Sequence, residues 1–198
     1  MNGHRDAAVV HRTADVGSAA LLGRRTRVWH QAQIADGAQV GEDCTIGKGA
    51  YIGAGSVLGD RVKVQNGCGV FGARLEDETM LAPGVYLLED PAPRATTPGG
   101  RTKTAEDWQR RPVTIRHGAT VGANATLAPG VTVGKHAMVA IGSVVHRDVP
   151  DHALVAGNPA RQVGWVCACG HRLDHDLACR CGNRYQTDLA GLMPAPGE

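Results

Sequence analysis

The sequence predicts an all-β solenoid, a chain wound into a narrow prism of stacked short strands, and three observations lead there. An aliphatic residue returns at every sixth position from Val10 through Val28, Ile46 and Leu58 to Val70, and again from Ile115 through Leu127 to Val145. The chain of 198 residues holds 27 glycines. Its aromatic content is only 4%, so the interior cannot be filled by the large rings that dominate most globular cores.

A spacing of six fits no single helical face, because successive turns would scatter these side chains around the cylinder. A chain that bends once per hexad satisfies it. Each unit reads aliphatic, small, two polar, small, polar. Three hexads close a triangular coil of about 18 residues, and coils stack at the parallel-strand spacing of about 4.8 Å. Cys44 and Cys68 fall on inward small positions and read as packing residues.

One step is short. Val70 to Leu75 is five residues, within the stretch VQNGCGVFGARLED. After Leu81 and Leu87 the beat stops, and residues 91–112, with their prolines, paired glycines and dense charge, read as a loop extruded from the prism. Allowing for the missing residue, the hexad of Val70 stacks on that of Leu87, placing Gly72 beside Glu89 and Ala73 beside Asp90. Gly67, Gly69 and Gly72 recess the wall there, so the short step reads as a pocket floor beneath the loop.

Stacking also predicts outward columns: His30 with Lys48 and Asn66, and Trp29 with Gly47 and Gln65. Trp29, Gln65 and Phe71 stand where most hexads have Gly or Ala. Such side chains mark a wall that holds a ligand or a neighbouring subunit.

The formal net charge of +2 gives no reason to expect nucleic acid as a partner. No apolar run approaches the length of a membrane span or a secretory leader, so a cytoplasmic protein without membrane contact is expected.

Two units are expected, a prism over residues 1–165 and a cysteine-rich tail over residues 166–198. In the tail, Cys167 with Cys169 and Cys179 with Cys181 form two Cys-x-Cys-Gly knuckles, a donor set for tetrahedral structural zinc. The single intervening residue departs from the usual two. It leaves His171 or His175 as a replacement ligand, and disulfides as another reading. A segment this short needs a staple to order itself.

The segments RTRVWHQAQIADGAQVG, VKVQNG, LEDPAPRAT, HGATVGANATLAPGVTVG and ALVAGNPARQVGWVC resemble the bacterial nucleotide-sugar N-acetyltransferases that acylate a 3-amino sugar, including those making diacetamido uronic acids. These are left-handed parallel β-helix enzymes. The resemblance covers about residues 10 to 166, and GNPAR with the following Gly-Trp is its most specific part. It implies a homotrimer, acetyl-CoA in the groove between neighbouring prisms, and a nucleotide-linked amino sugar near the protruding loop.

Carried over by residue, Asn66 matches an asparagine beside the reacting amine, and His30 the histidine of a Trp-His pair. Asp90, Pro93 and Arg94 match the start of the loop. The Asn158-Pro159-Ala160 segment resembles the one lining the CoA end. The sequence departs at Leu88-Glu89-Asp90, where the family has Thr-Asn-Asp, and at Gly67 to Phe71, where it tends to have Asn-Val-Ser-Val-Tyr. Both departures fall on the acceptor side.

Acetyl transfer to an amine needs a neutral amine, a thioester at attack distance and donors for the developing oxyanion. Asn66 has no useful proton affinity, so its role is to orient the amine. His30, Glu89 and Asp90 are alternative proton acceptors, with water or the CoA sulfur as others, and backbone N–H groups around Gly67 are candidate oxyanion donors. Trp29, Gln65, Phe71, Glu89, Asp90 and Arg94 form the expected acceptor wall. Lys135, Arg147 and Arg161 are cations available for the CoA phosphates. A γ-type carbonic anhydrase is excluded, because the second zinc histidine would fall at position 122, which is Gly. A catalytically silent trimer and an acyltransferase for another small amine remain as alternatives.

Overall fold

The computed structural model describes residues 6–195. Each hexad forms a strand of two residues followed by a turn, and among the described residues the chain visits three sheets in rotation, of nine, seven and six strands, parallel throughout except for the last strand of the first. The first sheet begins with Val9–Val10, the second with Asp15–Val16 and the third with Leu21–Leu22. Along each strand the first residue faces out and the second faces in: Gln33 is exposed, and Ile34 is buried. The inward aliphatics, with the small residues of the turns, make one continuous core. Cys44 and Cys68 lie within it, as their positions in the repeat predict. The buried Thr26 hydroxyl is satisfied locally, donating to the Gly41 carbonyl at 2.7 Å, whereas the buried Thr79 Oγ1 has no hydrogen-bond partner.

The register carries the irregularities plainly. Below the short step strands pair eighteen residues apart, as in Lys63 with Thr45. Across it they pair seventeen apart, Gly69 with Tyr86 and Val70 with Leu87. Gly72 therefore lies against Glu89, as the counting predicts, and a Cβ there would collide with Glu89 Oε2. Beyond the loop Arg74 pairs with Thr114, so residues 91–112 leave and re-enter a single coil without disturbing those above. The loop is held by its own contacts: the Thr97 N–H donates to the Arg101 carbonyl at 2.8 Å, and Arg101 pairs with Asp107 at 2.7 Å.

The last coil ends in an antiparallel hairpin, Ala153–Gly157 with Ala160–Trp165, whose tip is Asn158-Pro159. A second apolar cluster follows, of Cys167, Leu173, Cys179, Tyr185 and Leu192. Trp165 packs against both clusters, so the boundary expected after residue 165 falls at a shared residue. The strand Gly191–Pro194 docks on the prism through Asp151, whose N–H donates to the Ala190 carbonyl at 2.8 Å. Among the described residues, no helix is long and apolar enough to cross a membrane.

Candidate active site

Three edges run up the prism, and they sort the candidate residues. On the edge between the first and second sheets, the turns stack His30, Lys48, Asn66, Pro83, Ala123 and Ile141 in one column. Backbone bonds link the lower turns, Gly49 N–H to the His30 carbonyl at 3.0 Å and Gly67 N–H to the Lys48 carbonyl at 2.9 Å. The same bonding continues upward, from Gly84 N–H to the Asn66 carbonyl at 3.0 Å and from Gly142 N–H to the Ala123 carbonyl at 2.8 Å. The terminal hairpin tip closes this edge, since the Gly157 N–H donates to Ser143 Oγ at 3.2 Å. The column is polar from His30 to Asn66 and apolar from Pro83 to Ile141. Ile141 is 78% exposed, although a large aliphatic gains by burial.

Asn66 has a structural partner. Its Oδ1 accepts the Lys48 N–H at 2.9 Å, and Asp36 and Asp60 clasp the turns below them in the same way. A second lone pair on Oδ1 stays available. His30 lies two coils lower, a separation of about 10 Å at parallel-strand spacing. Its ring stacks on His11 at 3.5 Å between centroids, within 6.3 Å of Trp29. Direct proton transfer between His30 and a group at Asn66 is out of reach in this arrangement.

The short step lies on the edge between the second and third sheets, a full prism face away from Asn66. There Glu89 is mostly enclosed, and its buried Oε2 has no hydrogen-bond partner, only the Arg110 guanidinium at 3.6 Å. The Glu89 carbonyl accepts the Arg111 N–H at 2.8 Å, so both ends of the loop meet at this residue. Asp90 folds its Oδ1 onto the Ala92 N–H at 2.8 Å, and the exposed Arg94 donates to the Pro93 carbonyl. Phe71 turns toward Tyr51, with centroids 5.2 Å apart. Trp29 and Gln65 stand on the other edge. The expected acceptor wall is thus split between the two borders of the second sheet.

Within one chain the expected CoA cations lie on different edges. Lys135 is on the third edge, where its N–H donates to Asp151 Oδ1 at 2.7 Å. Arg147 follows the strand Val144–Val145, and Arg161 lies in the terminal hairpin with its guanidinium on the Ala160 carbonyl at 2.9 Å. Of the expected CoA residues, Asn158, Pro159 and Ala160 at the hairpin tip share the Asn66 edge. Sequence reasoning overlooked Pro83, Ala123 and Ile141; the available signal was apolar residues at the outward turn position that is polar in most hexads.

The third edge ends in an aromatic stack. His117, His136, His152 and Tyr185 follow one another at centroid separations of 5.4, 5.1 and 4.8 Å. Burial, and then the neighbouring His152 and His117, lower the pKa of His136. Burial likewise lowers that of His152, whose Nδ1 bonds the Val166 carbonyl at 2.9 Å.

Tyr185 delivers this stack to the cysteines, its hydroxyl lying 3.2 Å from Cys167 Sγ. The thiols of Cys167, Cys169, Cys179 and Cys181 lie within 4.8 Å of one another. Individual separations are 3.6 Å for Cys167 to Cys181 and 3.5 Å for Cys169 to Cys179. A zinc tetrahedron with bonds of about 2.3 Å has edges of about 3.8 Å, so the four sulfurs fit one ion and no pair is bonded as a disulfide. The two knuckles are copies: Gly170 N–H returns to the Cys167 carbonyl at 2.8 Å and Gly182 N–H to the Cys179 carbonyl at 2.9 Å. Both glycines adopt positive φ, 87° and 98°, which lets a spacing of one residue turn as tightly as the usual knuckle. Burial raises the Cys167 thiol, but the Cys169 N–H, the Tyr185 hydroxyl and the neighbouring thiols outweigh it and bring it down to about 6. His171 contacts the Arg180 guanidinium through Nε2, and neither it nor His175 belongs to the four-ligand group.

Comparison with known proteins bears on the repeat first. Residues 37–72 match the family model "Bacterial transferase hexapeptide (six repeats)", and residues 112–147 match "Hexapeptide repeat of succinyl-transferase". Both describe hexapeptide repeats of transferases. Over 68 residues, 33% of this chain, the sequence is 40% identical to a dTDP-3-amino-3,6-dideoxy-alpha-D-galactopyranose 3-N-acetyltransferase of Aneurinibacillus thermoaerophilus. Over 109 residues, 55% of this chain, it is 34% identical to serine acetyltransferase 4 of Arabidopsis thaliana. The chain spans 35% of the length of the first relative and 28% of the second. Among solved structures, the acetyltransferase domain of PglB from Neisseria gonorrhoeae, in complex with acetyl coenzyme A, superimposes with a TM-score of 0.53 at 23% identity. That match covers 81% of this chain and 60% of the other, and it supports the fold.

Proposed function

We propose that the protein is an acetyl-CoA-dependent N-acetyltransferase acting on the amine of a nucleotide-linked amino sugar, at the 3-amino position. The observation that carries this reading is the change of character along the Asn66 edge. Above Asn66 the outward column is Pro83, Ala123 and Ile141, ending at the Asn158-Pro159 hairpin tip. The span is four coils, about 19 Å, comparable to an extended pantetheine arm. Acetyl-CoA lies along this apolar stretch, with its thioester at Asn66 and its phosphates toward Arg161.

Asn66 Oδ1, held by the Lys48 N–H, accepts from the incoming amine with its remaining lone pair and aims the nitrogen lone pair at the thioester carbon. The N–C bond forms, the C–S bond breaks, and the thiolate takes the proton the amine sheds, directly or through water. The Gly67 N–H is taken by the Lys48 carbonyl, so the backbone donors to the oxyanion come from its neighbours in this turn or from the turns of an adjoining prism. Lys48, one coil below, lowers the proton affinity of an adjacent amine through like charge and favours its reactive neutral form. The assembly is a homotrimer in the cytoplasm, with the CoA groove shared between prisms, as the resemblance to the 3-amino-sugar enzymes implies.

The tail is a structural zinc site of Cys167, Cys169, Cys179 and Cys181. Bound zinc supplies rigidity and no catalytic step, and Tyr185 and Asn183, both bonded to Cys167 Sγ, orient that ligand.

Thiol release from acetyl-CoA, measured with a panel of nucleotide-linked amino sugars and with serine, tests the function. Release with an amino-sugar nucleotide is expected. Release with serine alone would favour a small-amine or hydroxyl acceptor, to which the second relative's name points, and no release with any acceptor would leave a silent scaffold.

A further inference from the structure

The face between the two edges is not blank. Where the second sheet crosses the coil of Asn66, its outward position is Gly69, and the outward residues directly below and above it in the same sheet are Tyr51 and Tyr86. Phe71 leans in from the short corner, 5.2 Å from the Tyr51 ring. A Cβ at Gly69 would fall 2.7 Å from the Tyr86 ring and 2.8 Å from the Phe71 ring, so these two aromatics close over a buried position that only glycine can occupy, with Tyr51 beside Phe71. The chain holds one Phe and three Tyr in all, and three of these four gather here. Tyr86 nevertheless remains 45% exposed. At the far border stands Arg110, exposed on one side and held by Glu89 on the other.

We propose that this aromatic floor receives the nucleobase of the acceptor, with Arg110 facing its diphosphate. The inference rests on the nucleotide-sugar reading above and deepens it. An open π-face accepts any flat base, and a guanidinium beside it complements the two phosphates. The layout also explains why the candidate wall is split: Asn66 at one border meets the sugar amine, and the loop edge at the other meets the nucleotide, with the floor between them. Glu89 keeps Arg110 from swinging to solvent, which gives its enclosed carboxylate a purpose.

Calorimetric titration of dTDP, UDP and GDP, without sugar, into the full-length protein tests the floor, with CoA titrated in parallel. Tyr86→Leu keeps apolar bulk but loses the π-face, and weakening of at least one nucleoside diphosphate by roughly tenfold or more is expected. Tyr86→Phe should retain wild-type affinity to within about twofold, Arg110→Gln should weaken the diphosphate, and none should change CoA affinity. Wild-type nucleotide binding that Tyr86→Leu and Phe71→Ala both leave intact would overturn the floor while sparing the nucleotide-sugar reading. Aromatic variants that dissociate the oligomer would overturn it too, making these rings a subunit contact. CoA binding without binding of any nucleoside diphosphate would defeat the acceptor reading itself, and the floor with it.

Discussion

Asn66 clasps a turn and, in the proposed mechanism, also holds the amine, and substitution can separate the two roles. Its Oδ1 clasps the Lys48 N–H as Asp60 clasps that of Glu42, so Asn66→Ala loses a turn bond worth about 1 kcal/mol as well as the amine contact. Asn66→Asp keeps the clasp. A carboxylate beside the amine, however, stabilises its protonated, unreactive form. The denaturation midpoint of Asn66→Asp should match wild type while kcat at neutral pH falls about tenfold or more and recovers as pH rises. An unchanged kcat would reduce Asn66 to a turn clasp. At the facing position, Gly69→Ala should leave the fold intact but displace Tyr86 and Phe71, a change visible in the ring resonances of both.

At the scale of elements, the tail and the third edge act together. The zinc account predicts about one equivalent of metal per chain, and less than half an equivalent would defeat it. Chelation should release the cover that Tyr185 and Leu192 give, read as faster proteolysis beyond Trp165, while the hexapeptide coils keep their circular dichroism. The histidine stack adds a pH dependence whose sign is fixed. His136 and His152 have lowered pKa values in the fold, so as pH falls below about 6.5 the unfolded chain takes up protons that the folded chain refuses, and stability is lost. Thermal midpoints measured from pH 7.5 down to 5 should fall, and fall less in His152→Gln. Equal slopes in the two proteins would remove His152 from the account.

Over the whole molecule, what could be read in the sequence was whatever the repeat indexes. The pairing of Val70 with Leu87, the contact of Gly72 with Glu89 and the exit of the loop all follow from counting, because parallel coils fix neighbours by register. What lay hidden depended on which edge a turn occupies. His30, Lys48 and Asn66 could be aligned, but Ala123 and Ile141 join their column only once the excursion at 91–112 is subtracted. Tyr51 and Tyr86 were invisible for another reason. Tyrosine is ordinary at an outward strand position, and only Gly69 between them turns the pair into a floor. Lys135 and Arg147 could be named as cations of the later coils, but which edge each occupies follows only from the folded register. The tail knuckles were legible as cysteines, and their geometry rests on Gly170 and Gly182 adopting positive φ.

The missing residue remains the sharpest address in the chain, since it brings Gly72, Glu89 and both ends of the loop to the border of the aromatic face. Inserting one residue between Phe71 and Leu75 restores the six-residue step and shifts Glu89 and Arg110 without touching Pro83, Ala123 or Ile141. Steady-state kinetics of that variant, with the nucleotide amino sugar and acetyl-CoA varied in turn, separate a pocket from a purely structural step. The acceptor KM should rise about tenfold or more while the acetyl-CoA KM stays near wild type, and equal losses in both would show that the short step serves only the fold.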